Sequence, residues 1–390
     1  MKVCAFITEY NPLHLGHIKH IKYMKETLKA EKLVCIMSGN FTQRGEASVL
    51  NKYTRAKQAI NAGADIVLEL PTVFAISNAE IFAKGAISIL NKLGIVDTLC
   101  FGVESGKKED YLALAKELNN ESKEFKKTLK TYLESGVSFA KAKFLTVKSL
   151  TNIAFDENLV NSPNNILGIE YTRALLQCNS NIEICPMLRL GDHNDITYKK
   201  GITSATSIRN MLKLGKKRKV KSSLPNFVYK ELKPYPFAFD KLIMASVLTS
   251  SQEELASIYD CTEGLENRIK ALATDNLNLE DFIEKVSTKR YTQARIRRIL
   301  IANLLKVNKG LIDSALSSDL YAKILAVNNA SKNLISTLNS SSSIPILTRK
   351  SDCEKLKKTA KLCFEKDVLA NDLYSLVTNE KSNEYQTIFV

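Results

Sequence analysis

The sequence lacks the features that mark membrane, secreted or metal-binding proteins. None of its apolar runs approaches the roughly 18 residues of a membrane-spanning helix. Glu9 and the Asn-Pro pair after it interrupt the first apolar stretch, so we expect no signal peptide. The eight cysteines are scattered without the spacing of a metal site. Cys4, Cys35 and Cys100 lie in β-like runs, which predicts reduced, buried thiols in a cytoplasmic protein without membrane contact.

Acidic residues are also scarce relative to basic ones. Lysine and arginine total 56 against 41 aspartates and glutamates, a formal net charge of +15. Such an excess favours a polyanionic partner, although the lysine bias of an AT-rich genome would produce the same balance. The places where the charges cluster must therefore decide between the two explanations.

The first half of the chain alternates strand-like and helix-like segments. Apolar, β-prone runs occupy 3–10, 33–38, 64–70, 96–103 and 182–190, and helical patterns occupy 52–62, 79–93, 107–135 and 166–176. Such alternation predicts βαβ units and a parallel sheet. Beyond Lys221 the strand signal largely disappears, and 227–309 has helical periodicity. We therefore predict an α/β protein with a Rossmann-like parallel-sheet domain over residues 1–225 and a mainly α-helical domain over residues 226–390.

The segment His14-Leu15-Gly16-His17 lies where the first strand should pass into a helix. A helix N-terminus presents unpaired N–H groups and a positive dipole end, which together suit a phosphate. Both histidines can bind phosphate oxygens, and Gly16 lacks the Cβ that would block close approach of a nucleotide. A zinc site of His14, His17 and His20 is the alternative, but no further ligand has suitable spacing. We therefore expect a nucleotide here and no resident metal.

Further polar segments follow other predicted strands, where open α/β sheets bind their ligands. Met37–Glu46 follows the second strand and contains two glycines and an arginine, Gly102 ends the fourth strand and Arg189 ends the fifth. Singly, each suits ordinary turn chemistry. Asn164 near a helix start suits either a cap or a nucleotide ligand. Ser204–Arg209 places hydroxyls and N–H groups at a helix start, which suits a triphosphate or, alternatively, a cap followed by a surface arginine.

Two basic clusters lie in the second half of the chain. The first, Lys213–Lys221, has six basic residues among nine, and the second spans 289–298 around Tyr291. Basic clusters follow phosphates, and an aromatic ring or arginine plane can stack on an unpaired base. A solvated face explains the first cluster equally well. For the second we favour RNA, because an aromatic residue is interleaved.

Together these segments resemble the bacterial tRNA(Met) cytidine acetate ligases, a family of HIGH-type nucleotidyltransferases. The matching segments are Glu9–His17, Met37–Glu46, Pro163–Gly168, Ser204–Arg209, Glu263–Arg268 and Thr288–Thr292. They cover most of residues 1–305 in order, whereas residues 310–390 carry no recognisable motif. The resemblance implies a nucleotidyltransferase fold for residues 1–225 and tRNA binding by residues 226–390.

The resemblance also implies a reaction in two steps. Acetate attacks the α-phosphate of ATP, which gives acetyladenylate and pyrophosphate, with Mg²⁺ on the leaving group. The acetyl group then passes to the exocyclic amine of the wobble cytidine of elongator tRNA(Met), which gives N(4)-acetylcytidine. Positioning and charge stabilisation at the phosphates should supply most of the acceleration of the first step.

The family's functional residues can be assigned to positions of this chain. The implied catalytic residues are His14 and His17. The implied ATP ligands are Ile7, Thr8, Glu9, Tyr10, Asn11, Pro12, Leu13, His14, Leu15, Gly16, His17, Ile18, Lys19, His20, Gly102, Asn164 and Arg189. Further triphosphate contacts are expected at Ser204, Thr206, Ser207 and Arg209. Contacts with tRNA are expected at Lys289, Arg290, Tyr291, Arg295, Arg297 and Arg298.

Two other functions compete with this interpretation. A small-molecule adenylyltransferase of coenzyme biosynthesis would explain the first domain, but it leaves the basic helical half without a task. A non-catalytic RNA-binding protein would not need an intact His14, Gly16 and His17. No feature of the sequence predicts a protein partner.

Overall fold

The computed structural model describes residues 1–120, 122–137, 139–151, 158–189, 203–275 and 278–390. The described strands are β1 (Val3–Thr8), β2 (Lys32–Ser38), β3 (Ile66–Leu70), β4 (Thr98–Val103), β5 (Glu183–Leu188), β6 (Ala322–Val327), β7 (Ile346–Leu347) and β8 (Ile388–Phe389). They form one sheet in the order β5-β4-β1-β2-β3-β6-β7, with β8 beside β6. Every pair is parallel except β3 and β6.

Helices cover the sheet and fill most of the second half of the chain. Up to residue 213 they are α1 (Leu15–Glu26), α2 (Lys52–Ala62), α3 (Thr72–Ala75), α4 (Ala79–Leu93), α5 (Lys108–Asn119), α6 (Lys123–Glu134), α7 (Phe139–Leu150), α8 (Asn158–Asn161), α9 (Pro163–Gln177) and α10 (Ala205–Lys213). After a 3-10 turn at Lys217–Ser223 come α11 (Asn226–Glu231), α12 (Ala238–Thr249), α13 (Gln252–Ala256), α14 (Leu265–Leu272), α15 (Leu279–Val286), α16 (Gln293–Leu304), α17 (Lys309–Leu316), α18 (Asn333–Ser341), α19 (Lys350–Cys353) and α20 (Lys358–Thr378). None of the helices in the described ranges is both long and apolar enough to cross a bilayer.

The predicted α/β fold class is confirmed. All five predicted strands are present with bounds that differ by two residues or fewer, except that the predicted end of the fifth, at residue 190, lies outside the described residues. The helices predicted over 52–62 and 79–93 have those bounds. Strands β1 to β4 are mostly buried, and a strand covered on both faces is continuously apolar in sequence, which is why their positions are readable. β5 has only one buried residue, Ile184.

The sequence suggested that the sheet ends with the first half of the chain, but the second half contributes three more strands. Its β6, β7 and β8 come from residues 322–389, and β6 pairs antiparallel with β3. All six residues of β6 are buried. A short buried run of this kind has the same apolar pattern whether it forms a strand or a helix segment, so periodicity could not identify it. The division at residue 225 stays a prediction, but the residues after it are not helical throughout.

Four charged side chains are buried where β6 joins β3. Lys52 Nζ lies 2.7 Å from Glu69 Oε1 and 2.7 Å from Glu384 Oε1. Lys323 Nζ lies 3.0 Å from Glu69 Oε2 and also contacts Glu384. All four side chains are at most 3% exposed. Two positive charges therefore balance two negative ones, as burial in a low-dielectric environment requires.

Candidate active site

A cleft of about 1790 Å³ opens at the carboxyl ends of β1, β4 and β5. The strand order changes direction at β1, which has β2 on one side and β4 on the other, and doubly wound sheets bind ligands at such a switch point. Residues from α16 line the same cleft. Pockets for small ligands usually measure about 300–1,000 Å³, so this cleft has room for a nucleotide together with part of a second substrate.

Most of the predicted ligands meet at this cleft. Its walls include Ile7, Thr8, Glu9, Tyr10, Asn11, His14, Gly16, His17, Lys19, His20, Gly102, Asn164, Arg189, Ser204, Thr206 and Arg209. Pro12, Leu13, Leu15, Ile18 and Ser207 do not belong to its walls, and both Leu13 and Ser207 are fully buried. For those two residues, the structure favours a role in packing beneath the site.

His14 and His17 are built into the start of α1. His14 Nδ1 accepts a hydrogen bond from the N–H of Gly16 at 3.0 Å, and His17 Nδ1 accepts one from the N–H of His14 at 3.2 Å. Their rings stack with centroids 3.8 Å apart. Since each Nδ1 is an acceptor, each neutral ring carries its proton on Nε2. Nε2–H is therefore the ring donor with which either histidine can bind a phosphate oxygen.

Gly16 serves this histidine arrangement. A Cβ at position 16 would lie 2.8 Å from Cε1 of His14 and 3.0 Å from its Nδ1. Such a contact would displace the His14 ring from the helix start. From the sequence we expected Gly16 to allow close approach of a nucleotide. The structure adds that the glycine makes room for the capping imidazole of His14.

His20 has different surroundings from the other two histidines. Its Nε2 lies 3.2 Å from Sγ of Cys100, and its ring packs edge-on against Phe6. Burial, together with the smaller effect of the nearby charge of Arg189, lowers the pKa of His20 to about 4. The ring is therefore neutral at physiological pH, and its closest described partner is a thiol.

Gly102, Asn164 and Arg189 meet at the ends of β4 and β5. A Cβ on Gly102 would lie 3.0 Å from Cγ of Arg189, so the glycine makes room for the arginine. Asn164 donates a hydrogen bond to Glu104, which the sequence had not marked as a ligand. Burial lowers the pKa of the Arg189 guanidinium, Glu104 opposes this effect, and the charge of Arg44 lowers it further.

Arg209 was predicted to contact the triphosphate, but its guanidinium already has partners within the protein. Its Nε lies 2.6 Å from Glu46 Oε1, and Nη1 donates to the carbonyl oxygen of Asn11 at 2.9 Å. Nη2 donates to Thr206 Oγ1 at 3.2 Å. These contacts favour a role for Arg209 in holding the loop between β1 and α1 in place, through the carbonyl of Asn11. No local signal in the sequence indicates the partnership with Glu46, because it joins segments far apart in the chain.

The second basic cluster reaches the same cleft as the nucleotide motif. The walls include Arg290, Arg295, Arg297 and Arg298, but not Lys289 or Tyr291. Arg290 pairs with Glu263 at 2.7 Å, and Arg295 Nε donates to the carbonyl oxygen of Asp260 at 2.8 Å. The sequence placed these arginines in a domain separate from the nucleotide ligands. The structure brings the two groups together across one cleft.

The first basic cluster adjoins the second. Lys213 Nζ lies 3.1 Å from Oε1 of Glu280, and Glu280 also pairs with Arg297. Farther along, Lys217 lies over the ring of Tyr229, with Nζ 5.5 Å from the ring centroid. Lys213 of the first cluster and Arg297 of the second, distant in sequence, therefore share Glu280 at the cleft.

Comparisons with known proteins agree with this geometry. The family model described as HIGH Nucleotidyl Transferase matches residues 1–387 of the chain. The tRNA(Met) cytidine acetate ligase of Clostridium novyi (strain NT) is 36% identical over 401 aligned positions, which cover 100% of this chain and 98% of the relative.

Two solved structures have the same fold over their whole length. Thermotoga maritima TmcAL in its apo form I matches with a TM-score of 0.94 and 30% identity. The form II structure of the same protein, bound with alpha-thio ATP, matches with a TM-score of 0.91 and 30% identity. Each match covers 100% of both chains.

Proposed function

This chain belongs to the HIGH nucleotidyl transferase family and aligns with tRNA(Met) cytidine acetate ligases over almost their full length, and from that premise we propose that it is an ATP-dependent acetate ligase. Its substrates would be acetate, ATP and the wobble cytidine of elongator tRNA(Met), and its compartment the cytoplasm. The observation that carries the proposal is the shared cleft, which joins a histidine-capped helix start to a wall of arginines. ATP binding alone does not explain the arginines, and RNA binding alone does not explain the histidines.

In the first step, an acetate oxygen forms a bond to the α-phosphorus of ATP while the bond to the bridging oxygen of the β-phosphate breaks. The products are acetyladenylate and pyrophosphate. His14 and His17 donate Nε2–H groups toward phosphate oxygens, and the N-terminus of α1 contributes its dipole. Because these donors are fixed by the helix cap, little reorganisation is needed as charge develops.

Magnesium would accompany the phosphates. Mg²⁺ usually keeps several waters and binds substrate phosphates plus one or two carboxylates. Glu9 fits this requirement, because it lies on the cleft wall beside the histidine motif and uses its Oε1 to accept the N–H of Gln43 at 2.8 Å. When bound, the ion would neutralise charge on the pyrophosphate.

In the second step, the exocyclic amine of the cytidine attacks the acetyl carbonyl, AMP leaves and the amine loses a proton. Single-stranded bases are read by splaying them into a pocket while basic residues follow the backbone. The second basic cluster, at residues 289–298, is the proposed tRNA contact. Because the first cluster adjoins it at Glu280, we extend the contact to Lys213–Lys221.

The two competing functions each leave part of the site unexplained. An adenylyltransferase for a small coenzyme precursor has no use for Arg290, Arg295 and Arg298 around its nucleotide. A non-catalytic RNA-binding protein has no use for two stacked histidines that cap a helix at the switch point of the sheet.

The direct test is ATP–pyrophosphate exchange with and without acetate, followed by transfer of labelled acetate to a transcript of elongator tRNA(Met). We expect exchange that depends on acetate, and label that is lost when the wobble cytidine is replaced by uridine. Adenylylation of phosphopantetheine or nicotinamide mononucleotide with no response to acetate would instead support the coenzyme alternative.

A further inference from the structure

The loop between β2 and α2, residues 39–51, contacts α16 through Gly45 at its tip. Inside the loop, the N–H of Thr42 donates to the carbonyl oxygen of Glu46 at 3.0 Å, and the N–H of Gly45 donates to that of Thr42 at 2.9 Å. Gly45 has φ +73°, and a Cβ there would lie 2.5 Å from backbone atoms of Arg297 and Arg298. Only glycine combines this backbone conformation with so close an approach. The tip is therefore fixed against the helix that carries the arginine wall.

The other side of the same loop is attached to the nucleotide motif. The N–H of Gln43 donates to Glu9 Oε1 at 2.8 Å, and Glu46 pairs with Arg209, which in turn holds the carbonyl of Asn11. Residues 43, 45 and 46 thus each have an anchor outside the loop. The backbone of residue 44 is consequently held in one place.

Arg44 differs from its neighbours because it makes no ion pair or hydrogen bond with the residues that the structure describes. Its side chain is half-buried and lines the cleft. It lies close enough to Arg189 for its charge to lower the pKa of that guanidinium. Holding two like charges in one cleft costs free energy, and a polyanion between them would reverse that cost.

We propose that Arg44 binds the β- and γ-phosphates of ATP and the pyrophosphate that leaves. This role rests on the proposed function and assigns to this arginine the phosphates beyond the reacting one. Arg44 supplies a planar, bidentate donor, and the anchored loop fixes the backbone that carries it before ATP arrives. Fixing this backbone in advance reduces the conformational entropy lost when the phosphates bind.

The test compares ATP with AMP, which lacks the two outer phosphates. Titration calorimetry would measure the affinity of each nucleotide for the wild-type protein, Arg44→Ala and Arg44→Lys. We expect Arg44→Ala to weaken ATP by about 10- to 100-fold, the effect of losing one or two charge-assisted hydrogen bonds, and to leave AMP unchanged. In the exchange assay the KM for pyrophosphate should rise, and Arg44→Lys should recover part of the loss. Arg349→Ala is the matched control, because that side chain is 76% exposed and pairs with Asp352 outside the cleft.

Three outcomes would overturn the assignment. Unchanged ATP affinity in Arg44→Ala removes the residue from the site, and an equal loss of ATP and AMP affinity indicates general damage to the cleft. Intact ATP affinity with weakened tRNA binding would show that Arg44 contacts the RNA instead of the phosphates of ATP. If the wild-type protein binds ATP but shows no acetate-dependent exchange, the proposed function fails, while the comparison of ATP with AMP still decides the role of Arg44.

Discussion

His14 has two tasks that substitution can separate. Its Nδ1 caps α1 by accepting the N–H of Gly16, and its Nε2–H is the proposed donor to phosphate. Asparagine is among the best N-cap residues, so His14→Asn should keep the cap and lose the donor. His14→Ala should lose both. The two variants therefore distinguish a catalytic histidine from a structural one.

The expected sizes of the two effects differ enough to be measured independently. A lost cap costs about 1 kcal/mol of unfolding free energy, whereas a lost donor to a developing charge costs about 2–4 kcal/mol, or about 10²–10³ in rate. His14→Asn should therefore unfold in urea like the wild-type protein yet lose most acetate-dependent pyrophosphate exchange. His14→Ala should show the same loss of exchange and lower stability.

The reasoning can be refuted by either measurement. Full exchange activity in His14→Asn would remove the Nε2 donor from the mechanism. A stability loss as large in His14→Asn as in His14→Ala would mean that the cap had not been preserved. His17→Gln offers a second test, because glutamine at the third helical position preserves a capping box, and it too should lose exchange while keeping stability.

Three further predictions concern other parts of the molecule. Glu384→Gln leaves two buried lysines against one carboxylate, so urea unfolding should show a loss of about 3–5 kcal/mol, and unchanged stability would mean that the pairing contributes nothing. Burial raises the pKa of Asp367 to about 7, so the folded state holds this proton more tightly than the unfolded state does. The wild-type protein should therefore lose stability relative to Asp367→Asn as pH rises from about 4 to 7. Parallel curves of stability against pH for the two proteins would contradict this. Replacing Lys289 and Arg290 by alanine should weaken tRNA binding and lower its salt slope by about 0.7–0.9 per lost phosphate contact while exchange is spared, whereas an unchanged slope would identify a solvated face.

The sequence predicted the elements whose information is local. Strands β1 to β4 are mostly buried apolar runs, and α2 and α4 are bounded by residues that cap or end helices, such as Asn51, Gly63 and Gly94. The histidine motif was readable because its position after β1 already defines a helix start. The role of Gly16 was predicted only in part, since its contact with the His14 ring requires coordinates.

The parts that escaped prediction depend on distant pairings. Nothing local indicates that Glu46 pairs with Arg209 or that Gly45 touches α16. For the same reason the sequence treated the arginines of the second basic cluster as remote from the nucleotide. A charged residue in sequence gives no sign of its partner. The structure was needed to show that Arg209 is paired with Glu46 and that Arg44 makes no ion pair or hydrogen bond with the described residues.

The four buried charges at the junction of β3 and β6 also affect how the chain can fold while it is being synthesised. Lys52 and Glu69 leave the ribosome early and can neutralise each other. Lys323 then adds a cation, and the carboxylate that balances it, Glu384, emerges 61 residues later. Docking β6 before that point would bury an uncompensated charge at a cost of several kcal/mol. The nascent chain is therefore expected to keep its sheet open until late in translation, with the β3 edge exposed to chaperones and proteases in the meantime.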